Sequence, residues 1–555
     1  MLDKRIFMQY TMHHHPVITR KEYLKMKKNL IAFIASLIAV IMTLSSASAC
    51  TAFYAGSDMT ADGKTIFARS EDLSNSYNKM QFVAESGAHK AGEEYAGCYG
   101  FTYTFTHDSY GYTAFQDDNM EAKDYVCPDC DSTHPHTPYQ AAGTNEMGVS
   151  MSATETLYGC SAVIDADPFE DAGIEEAEIP TVILSEAATA KEGVDLLLKI
   201  YDEAGCNSGS GIFIADKDEV WYIENTTGHQ YVAVKLSSTV VFPEPNMSAI
   251  GLIDLDDENV IASPKLIEVA KAAGTYVGDE AANTIDFCAS YFQGQGQASR
   301  MTQALNYLNG VDTFTNDAGS YDASAYVISN VAADGSICAF YNAIVPTHKL
   351  TVADVIGYYH LDTIGKPGNL ETHIFQLTPG GDKLYDIVEW VAVDDAAINV
   401  FVPYLPMLTT GYDASLQVST LAANFVTEEP TEGVYFPTTK NMRIDGQRVP
   451  VQGFMVLPEN WADSFYWSVD AVSNLCMYAD VDEALKASVL GGLDDIQTQI
   501  YNDFYAKDGA LAGLKAIVDS GDIDTAKATA TAYSAEIAAA VHDLMVTCAL
   551  TIIAK

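Results

Sequence analysis

A cysteine follows directly behind an export-signal pattern, and this placement constrains the chain more than any other feature of its sequence. Two lysines precede an apolar run over residues 30–44, and the sequence Ala-Ser-Ala then ends immediately before Cys50. A basic segment, a short apolar core and an Ala-x-Ala site are typical of a secretory signal peptide. We therefore predict an over-long gene start at residues 1–25, a signal peptide at 26–49 and a mature chain that begins with Cys50.

A cysteine at a mature amino terminus is open to two chemistries. Its thiol is acylated in bacterial lipoproteins, but that processing prefers an aliphatic residue three positions earlier, where this chain has Ala47. The alternative is an amino-terminal nucleophile that carries its own base, because an α-amine titrates near pH ~8 and a thiol near ~8.5. The residues around Cys50 leave both hypotheses open.

The charge of the chain excludes several kinds of partner. Asp and Glu number 75 against 30 Lys and Arg, so the net charge is −45, while a hydrophobic fraction of 48% supplies a full core. A surface this acidic is repelled by nucleic-acid phosphates and by anionic lipids, and it favours solubility in an extracellular medium. We expect no nucleic-acid partner and, after the signal peptide, no segment able to span a membrane.

Hydrophobic patterning divides the rest of the chain into strands followed by helices. Alternation and turn residues predict strands within the segments 50–54, 65–69, 148–156, 211–225, 230–236, 326–341 and 384–402. Helical periodicity is found at 180–204, 264–273, 301–308 and from 481 to the end, while 75–140 is expected to be irregular. This order predicts an α+β fold, with a main domain at residues 50–480 and a helical segment at 481–555.

The first two predicted strands form a hairpin that turns at Asp62-Gly63 and returns toward Cys50. Its second strand ends in Arg69-Ser-Glu-Asp72. A guanidinium beside a thiol lowers the thiol pKa, and Asp72 is placed to accept a hydrogen bond from the α-amine. The alternative is that Arg69 and Asp72 form a surface ion pair without catalytic meaning.

This opening, a cysteine at a cleavage point followed by the hairpin and Arg-x-x-Asp, resembles the N-terminal-nucleophile (Ntn) cysteine hydrolases. That superfamily includes choloylglycine hydrolases, penicillin V acylases and the dipeptidase A family. Motifs similar to the dipeptidase A branch lie at residues 143–149 (GTNEMGV), 152–156 (SATET), 220–224 (VWYIE), 228–229 (GH), 245–246 (PN), 371–376 (ETHIFQ) and 402–404 (VPY). The resemblance covers about residues 50–405. It implies a four-layer αββα Ntn-hydrolase sandwich with a helical C-terminal extension and with Cys50 at the end of a central strand.

The resemblance also implies roles for four further residues. Asn246 matches an asparagine that lies near the nucleophile and its α-amine, and Arg300 fits a distal arginine. In the acylases an asparagine donates to the oxyanion where this chain has Glu155, and a carboxylate is a poor donor unless protonated. Asn145 or backbone N–H groups are then the expected oxyanion donors, with Glu155 binding the substrate's amino group. Without the resemblance, Asn246 is a turn residue and Arg300 a surface charge at a helix start.

One local motif falls outside that pattern. Cys127 and Cys130 form a Cys-x-x-Cys pair, and His134 and His136 follow closely. Two thiols and two imidazoles can hold Zn²⁺ tetrahedrally. The tight spacing of the histidines favours the alternatives, a disulfide that closes an exported loop or free thiols. We expect no metal and no other cofactor.

Together these features predict an exported cysteine dipeptidase that hydrolyses small peptides. The thiolate of Cys50 attacks the amide carbonyl and its own α-amine acts as general base. An acylase acting on N-acyl or conjugated amides is the alternative within enzymes, and a lipid-anchored, non-catalytic surface protein is the alternative outside them. The expected partner is a small peptide substrate, with a homo-oligomer as an option, and the expected location is extracellular or the cell surface.

Overall fold

Two antiparallel β-sheets lie at the centre of this protein, seen in a computed structural model. The structure describes residues 50–72, 79–97, 100–117, 139–155, 157, 159–292, 298–309, 343–361, 363–381, 383–418, 423–444, 447–478 and 483–553. The predicted gene start and signal peptide lie outside these ranges. So do Cys127, Cys130, His134 and His136, and the strands predicted at 326–341.

The elements are numbered in chain order. The strands are β1 (Thr51–Ala55), β2 (Thr65–Asp72), β3 (Lys79–Ala84), β4 (Glu94–Ala96), β5 (Thr102–Thr104), β6 (Tyr112–Asp117), β7 (Gln140–Asn145), β8 (Ser150–Glu155), β9 (Ser210–Ala215), β10 (Val220–Asn225), β11 (Tyr231–Lys235), β12 (Val241–Glu244), β13 (Leu252–Asp254), β14 (Val260–Ala262), β15 (Gly278–Asp279), β16 (Thr284–Asp286), β17 (Asn369–Leu377), β18 (Ile387–Val393), β19 (Val402–Tyr404), β20 (Asn424–Val426), β21 (Tyr435–Ile444) and β22 (Gln447–Val456). The helices are α1 (Ser161–Ala166), α2 (Ile179–Glu186), α3 (Ala190–Glu203), α4 (Leu266–Ala272), α5 (Phe287–Tyr291), α6 (Ala298–Asn309), α7 (Val352–Tyr359), α8 (Phe465–Tyr478), α9 (Glu483–Tyr505), α10 (Ala510–Asp519) and α11 (Ile523–Ile553).

The two large sheets have different strand orders. One has six strands in the order β12-β1-β2-β17-β18-β19, and the other has eight in the order β14-β11-β10-β9-β8-β7-β6-β3. Smaller sheets join β13-β16-β15, β20-β22-β21 and β4-β5. Strands and helices are thus mixed in an α+β arrangement, as the sequence predicts.

The predicted hairpin of β1 and β2 places the start of β1 inside the six-stranded sheet. Gly63 in the connecting turn has φ +73°, a left-handed conformation that glycine adopts without steric cost. Side chains along β1 alternate, so that Ala52 and Tyr54 face one apolar cluster while Phe53 and Ala55 face another. β1 is therefore covered on both faces, which explains its continuous apolar sequence.

Each large sheet carries apolar side chains on both faces. The cluster between the sheets contains Phe67 and Phe375 from one sheet and Phe213 from the other. The ring centroid of Phe67 lies 4.8 Å from that of Phe375 and 5.5 Å from that of Phe213. A second cluster joins the other face of the six-stranded sheet to α7, α10 and part of α11. A third cluster joins the other face of the eight-stranded sheet to α2 and α3.

Two of the predicted elements need correction. The helix predicted at 180–204 is two helices, because Ala187 is extended and the Thr189 side chain caps α3 by accepting a hydrogen bond from the Glu192 N–H. The segment 75–140, predicted to be irregular, contains β3 to β6 and the start of β7. Its strands escaped notice because β3 buries polar side chains, Lys79 among them, where the expected pattern is apolar.

The C-terminal helix α11 corrects one further expectation. By length and mean hydropathy it could cross a membrane, and it is the one helix within the described ranges that meets this test. The sequence analysis expected no such segment after residue 49. In the structure α11 packs against α8, α10 and β19 through a stripe of buried side chains, namely Ala526, Ala530, Ser534, Ala538, Val541, Met545, Ala549 and Ile552.

Candidate active site

Cys50 lies immediately before β1, with its side chain turned toward the space between the two sheets. Alternation along the strand puts Cys50 on the same face as Ala52, which belongs to the cluster between the sheets. Ala52 pairs with Arg69 of β2 on one side and with Glu244 of β12 on the other. Cys50 is 6% exposed, so its thiol sits in a largely water-excluded place with charged residues on both neighbouring strands.

Arg69 brings its guanidinium to the thiol, as the sequence predicts. Its Nη2 lies 3.9 Å from Cys50 Sγ and 3.1 Å from a carboxylate oxygen of Glu176, and its Nη1 donates to the Ala141 carbonyl at 3.4 Å. Arg69 is 1% exposed, so it does not form a surface ion pair.

The surroundings keep this guanidinium charged. Burial acts to lower the pKa of Arg69, but the negative charges of Cys50, Glu176, Glu71 and Glu371 outweigh it and raise that pKa well above its ordinary value. A fixed positive charge beside a thiol favours the thiolate, the form that acts as a nucleophile.

Arg300 reaches the backbone of Cys50 from α6. Its Nη1 donates to the Cys50 carbonyl at 2.7 Å and to Thr51 Oγ1 at 2.6 Å, and the Tyr359 hydroxyl donates to the Thr51 carbonyl at 3.0 Å. Arg300 is buried and is not the surface charge of the alternative interpretation. These bonds fix the first residues of β1 and hence the direction of the thiol.

Asp72 lies on the face of β2 opposite to Arg69, because three positions separate them along the strand. Its carboxylate accepts a hydrogen bond from Asn369 Nδ2 at 2.6 Å and forms a buried ion pair with Lys366 Nζ at 2.8 Å. Its charge also acts to raise the pKa of Arg300, although burial lowers that pKa overall. The predicted bond of Asp72 to the free α-amine stays a prediction.

Asn246 lies in the turn after β12, across from Cys50 when the β1–β12 register is continued by two residues. Its φ is +62°, a left-handed conformation that asparagine tolerates better than most residues. Asn246 is half-buried, and its Oδ1 atom is buried without a hydrogen-bond partner in the part of the chain that the structure describes. The structure brings Arg69 and Arg300 into contact with Cys50, and the role of Asn246 beside them stays a prediction.

Asn145 is not brought to this site. Its Nδ2 donates to the carbonyls of Leu184 and Ala187, and its Oδ1 accepts from the N–H groups of Met147 and Val149, so it closes the β7–β8 turn. It also lies four residues along β7 from Ala141, the residue that contacts Arg69, or about 13 Å at ~3.3 Å per residue.

Glu155 ends β8, where it pairs with Ser210, and its side chain lies outside the described part of the structure. Its predicted role stays a prediction.

Two buried polar networks behind Arg69 were not anticipated from the sequence. His373 lies across from Arg69 in the β2–β17 register, with Nδ1 2.8 Å from a Glu371 carboxylate oxygen and Nε2 2.8 Å from Ser152 Oγ. Lys79 Nζ lies 2.7 Å from Glu71 and 2.5 Å from Asp117. Residues 371–376 and 152–156 each match a family motif, but nothing in the sequence indicates that the two segments are in contact.

Metal ligands are not grouped in this site. Among the described ranges, no cluster of three or more His, Cys, Asp or Glu side chains is arranged to hold a metal ion. The zinc alternative at Cys127, Cys130, His134 and His136 concerns residues outside those ranges.

Comparison with known proteins gives this site a family. The model of Peptidase family C69 matches residues 49–425. A probable dipeptidase B of Streptococcus pyogenes serotype M1 is 30% identical over 405 residues, 70% of this chain and 78% of that protein. A probable dipeptidase of Salmonella dublin is 30% identical over 64% of this chain and 80% of its own length. A solved structure of a variant of conjugated bile acid hydrolase from Clostridium perfringens is 14% identical and covers 64% of this chain and 96% of that one, with a TM-score of 0.24.

The family match spans the hairpin with Cys50 and Arg69, the turn with Asn246 and the helix with Arg300. The resemblance that the sequence analysis drew from motifs is therefore confirmed. The chain belongs to Peptidase family C69, and it is a cysteine-type hydrolase of peptide bonds.

Proposed function

We propose that this protein is an exported dipeptidase whose nucleophile is the thiolate of Cys50, freed as the first residue by signal-peptide cleavage. The observation that carries the proposal is the contact between Cys50 Sγ and the buried guanidinium of Arg69. The names of the relatives support dipeptides as the substrate class.

The reaction follows from these groups. The thiolate attacks the scissile carbonyl, forming an S–C bond, and the C–N bond breaks as the leaving amine takes a proton from the α-ammonium of Cys50. Water then attacks the thioester, gives a proton to the α-amine, and releases the acid and the thiolate. Asn246 Oδ1 is the proposed acceptor that orients the α-amine, and Arg300 orients the thiol by holding the Cys50 carbonyl.

We also propose that the architecture is the four-layer αββα sandwich of Ntn hydrolases. The apolar cluster between the sheets, and the two clusters that join their outer faces to helices, support this arrangement. It places Cys50 at the end of a central strand, where a substrate enters between the sheets.

The test combines the mature amino terminus with activity. Mass spectrometry of the exported protein should find Cys50 as an unmodified first residue, and release of amino acids from a dipeptide panel should fall to background in Cys50→Ala. Cys548→Ser, on the distant α11, is the matched control and should retain activity. A diacylglyceryl group on Cys50, or full activity in Cys50→Ala, would refute the proposal. Faster turnover of N-acyl amides than of dipeptides would identify an acylase instead.

A further inference from the structure

A buried carboxylate beside Cys50 has one oxygen that no described protein group satisfies. Glu244 ends β12, and its side chain has no solvent exposure. Its Oε1 accepts a hydrogen bond from the Met247 N–H at 2.6 Å, whereas Oε2 has no hydrogen-bond partner within the described ranges. A buried acceptor that stays unsatisfied costs much more than a satisfied one. The carboxylate is therefore suited to a donor that arrives with a ligand.

The strand register places this carboxylate on the face of the sheet that carries the thiol. Glu244 is directly opposite Ala52 in the β1–β12 ladder, so the two side chains share a face. Cys50 is two residues before Ala52 and projects to the same face. Glu244 is thus a diagonal neighbour of Cys50, in the space between the sheets where an attacked carbonyl has to lie.

Two guanidinium groups lie near this carboxylate. Arg69 contacts Cys50 and Glu176, and Arg300 donates hydrogen bonds to the Cys50 carbonyl and to Thr51. Both positive charges act to lower the pKa of Glu244, but burial and the charge of Glu224 outweigh them and raise that pKa to about 8. An ammonium group placed against Oε2 would favour the ionised form.

We propose that Glu244, in place of the Glu155 expected from the family resemblance, binds the free α-ammonium group of the substrate and thereby selects unblocked peptides over N-acylated ones. This inference rests on the proposed function, since it names a specificity residue for that same site. In a dipeptide the α-ammonium and the scissile carbonyl are attached to the same carbon, so a group that binds the ammonium has to lie beside the nucleophile. Glu244 meets this requirement. The α-amine of Cys50 itself lies across from Asn246, two residues further along the register.

The test compares a free and a blocked substrate, Ala-Ala and N-acetyl-Ala-Ala, in wild-type protein and in Glu244→Gln. We expect wild type to prefer Ala-Ala by on the order of 10²-fold or more in kcat/KM, because a site built for a polar group rejects a substrate that lacks it. In Glu244→Gln the kcat/KM for Ala-Ala should fall by a similar factor, mainly through KM. The kcat/KM for N-acetyl-Ala-Ala should not fall, so the preference for Ala-Ala should be lost.

Glu224→Gln is the matched control. Glu224 is equally buried, on β10, but its oxygens accept hydrogen bonds from Ser248 Oγ and from the N–H groups of Ala249 and Ile250. The charge of Glu224 acts to raise the pKa of Glu244, so its removal favours the ionised form of Glu244. This variant should therefore keep or strengthen the wild-type preference. Circular dichroism and thermal unfolding report whether either variant loses its fold.

Several results would overturn the inference. One is an equal fall in kcat/KM for both substrates in a folded Glu244→Gln, because Glu244 would then support the reactivity of Cys50 or the stability of the fold instead of binding the ammonium group. Another is a wild-type enzyme that cleaves both substrates equally well. If Glu244→Gln does not fold, calorimetry on Cys50→Ala decides: binding of Ala-Ala but not of N-acetyl-Ala-Ala supports the inference, and equal binding refutes it. Failure of the proposed function would look different, since wild type would then cleave neither substrate or Cys50→Ala would remain active.

Discussion

At the scale of single residues, the proposed chemistry of this protein depends on one positive charge that is held next to one thiol inside the molecule. Arg69 is surrounded by carboxylates that keep it charged, and Cys50 is the reactive group within its reach. A guanidinium in water would contribute little to the thiol pKa, because exposed charges are screened. The burial of Arg69 between the sheets is what makes its charge effective.

Arg69→Gln tests this effect directly. Removing the charge should raise the pKa of the Cys50 thiol, so that alkylation by iodoacetamide needs a higher pH than in wild type. The measurement is the alkylation rate against pH, followed by mass spectrometry at Cys50. Lys217→Gln, which breaks an exposed ion pair with Asp218, is the control and should leave the profile unchanged. An unchanged profile in Arg69→Gln would remove Arg69 from the mechanism.

Sequence reasoning could predict a site residue when a local hairpin or a family motif pointed to it. It could not predict residues that reach the site from distant parts of the chain. Arg69 was found because a hairpin of known geometry returns it to Cys50, and Arg300 because a family motif includes it. Glu176 and Glu244 were not predicted, because their contacts are far away in the sequence. Glu176 is 107 positions from Arg69, and Glu244 is 192 positions from Ala52. Asn145 was chosen for its amide, but the turn that it closes consumes all of its hydrogen bonds.

At the scale of elements, the helix α11 has the composition of a membrane segment, and it packs one face against the rest of the chain, with 28% of its most apolar stretch buried. Periodicity predicted a helix there, but not the long stripe of small residues that it buries. Small side chains let α11 approach β19 and α8 closely, so a larger side chain on this face would force neighbouring side chains or the backbone to shift.

Ala538→Leu tests that packing. Ala538 is fully buried, and the larger side chain should lower the free energy of unfolding by about 1–3 kcal/mol. Ala540→Leu, on the exposed face of the same helix, should change it by less than ~0.5 kcal/mol. The measurement is urea unfolding followed by circular dichroism. Equal effects of the two variants would mean that α11 does not pack through this stripe.

The junction between β18 and α8 buries three carboxylates, those of Asp394, Asp395 and Asp470. Burial and the charges of Asp470 and Asp395 raise the pKa of Asp394 well above its ordinary value, and Asp394 adopts φ +58°. The neighbouring Asp395 has its pKa raised to about 6, chiefly by burial. The folded protein thus holds protons that the unfolded chain releases above pH ~4.

Stability should therefore fall as pH rises from ~4 toward the raised pKa values, because proton release favours the unfolded chain in that range. Asp394→Asn keeps the shape, tolerates the positive φ and removes one ionisation. We expect a gain in the free energy of unfolding at neutral pH that shrinks toward pH ~4. Thermal unfolding at a series of pH values measures it. A constant difference across the series would show that Asp394 does not titrate as described.

At the scale of the whole molecule, the proposal is that export and catalysis are connected, because signal-peptide cleavage would free the amine of Cys50. The order of strands and helices could be predicted as an α+β fold because local patterns determine it. The strand orders could not, since β12 joins β1 and β17 joins β2 across long stretches of chain.

We propose that the free amine of Cys50 is the catalytic base, and adding one residue before Cys50 tests this role. The kcat/KM for a dipeptide should be compared between the processed enzyme and a form with a non-cleavable glycine before Cys50, after circular dichroism has shown that both fold. We expect kcat/KM to be lower in the extended form by a factor on the order of 10²–10⁴, the usual contribution of general-base catalysis. Full activity in the extended form would contradict it, because a side chain would then have to supply the base.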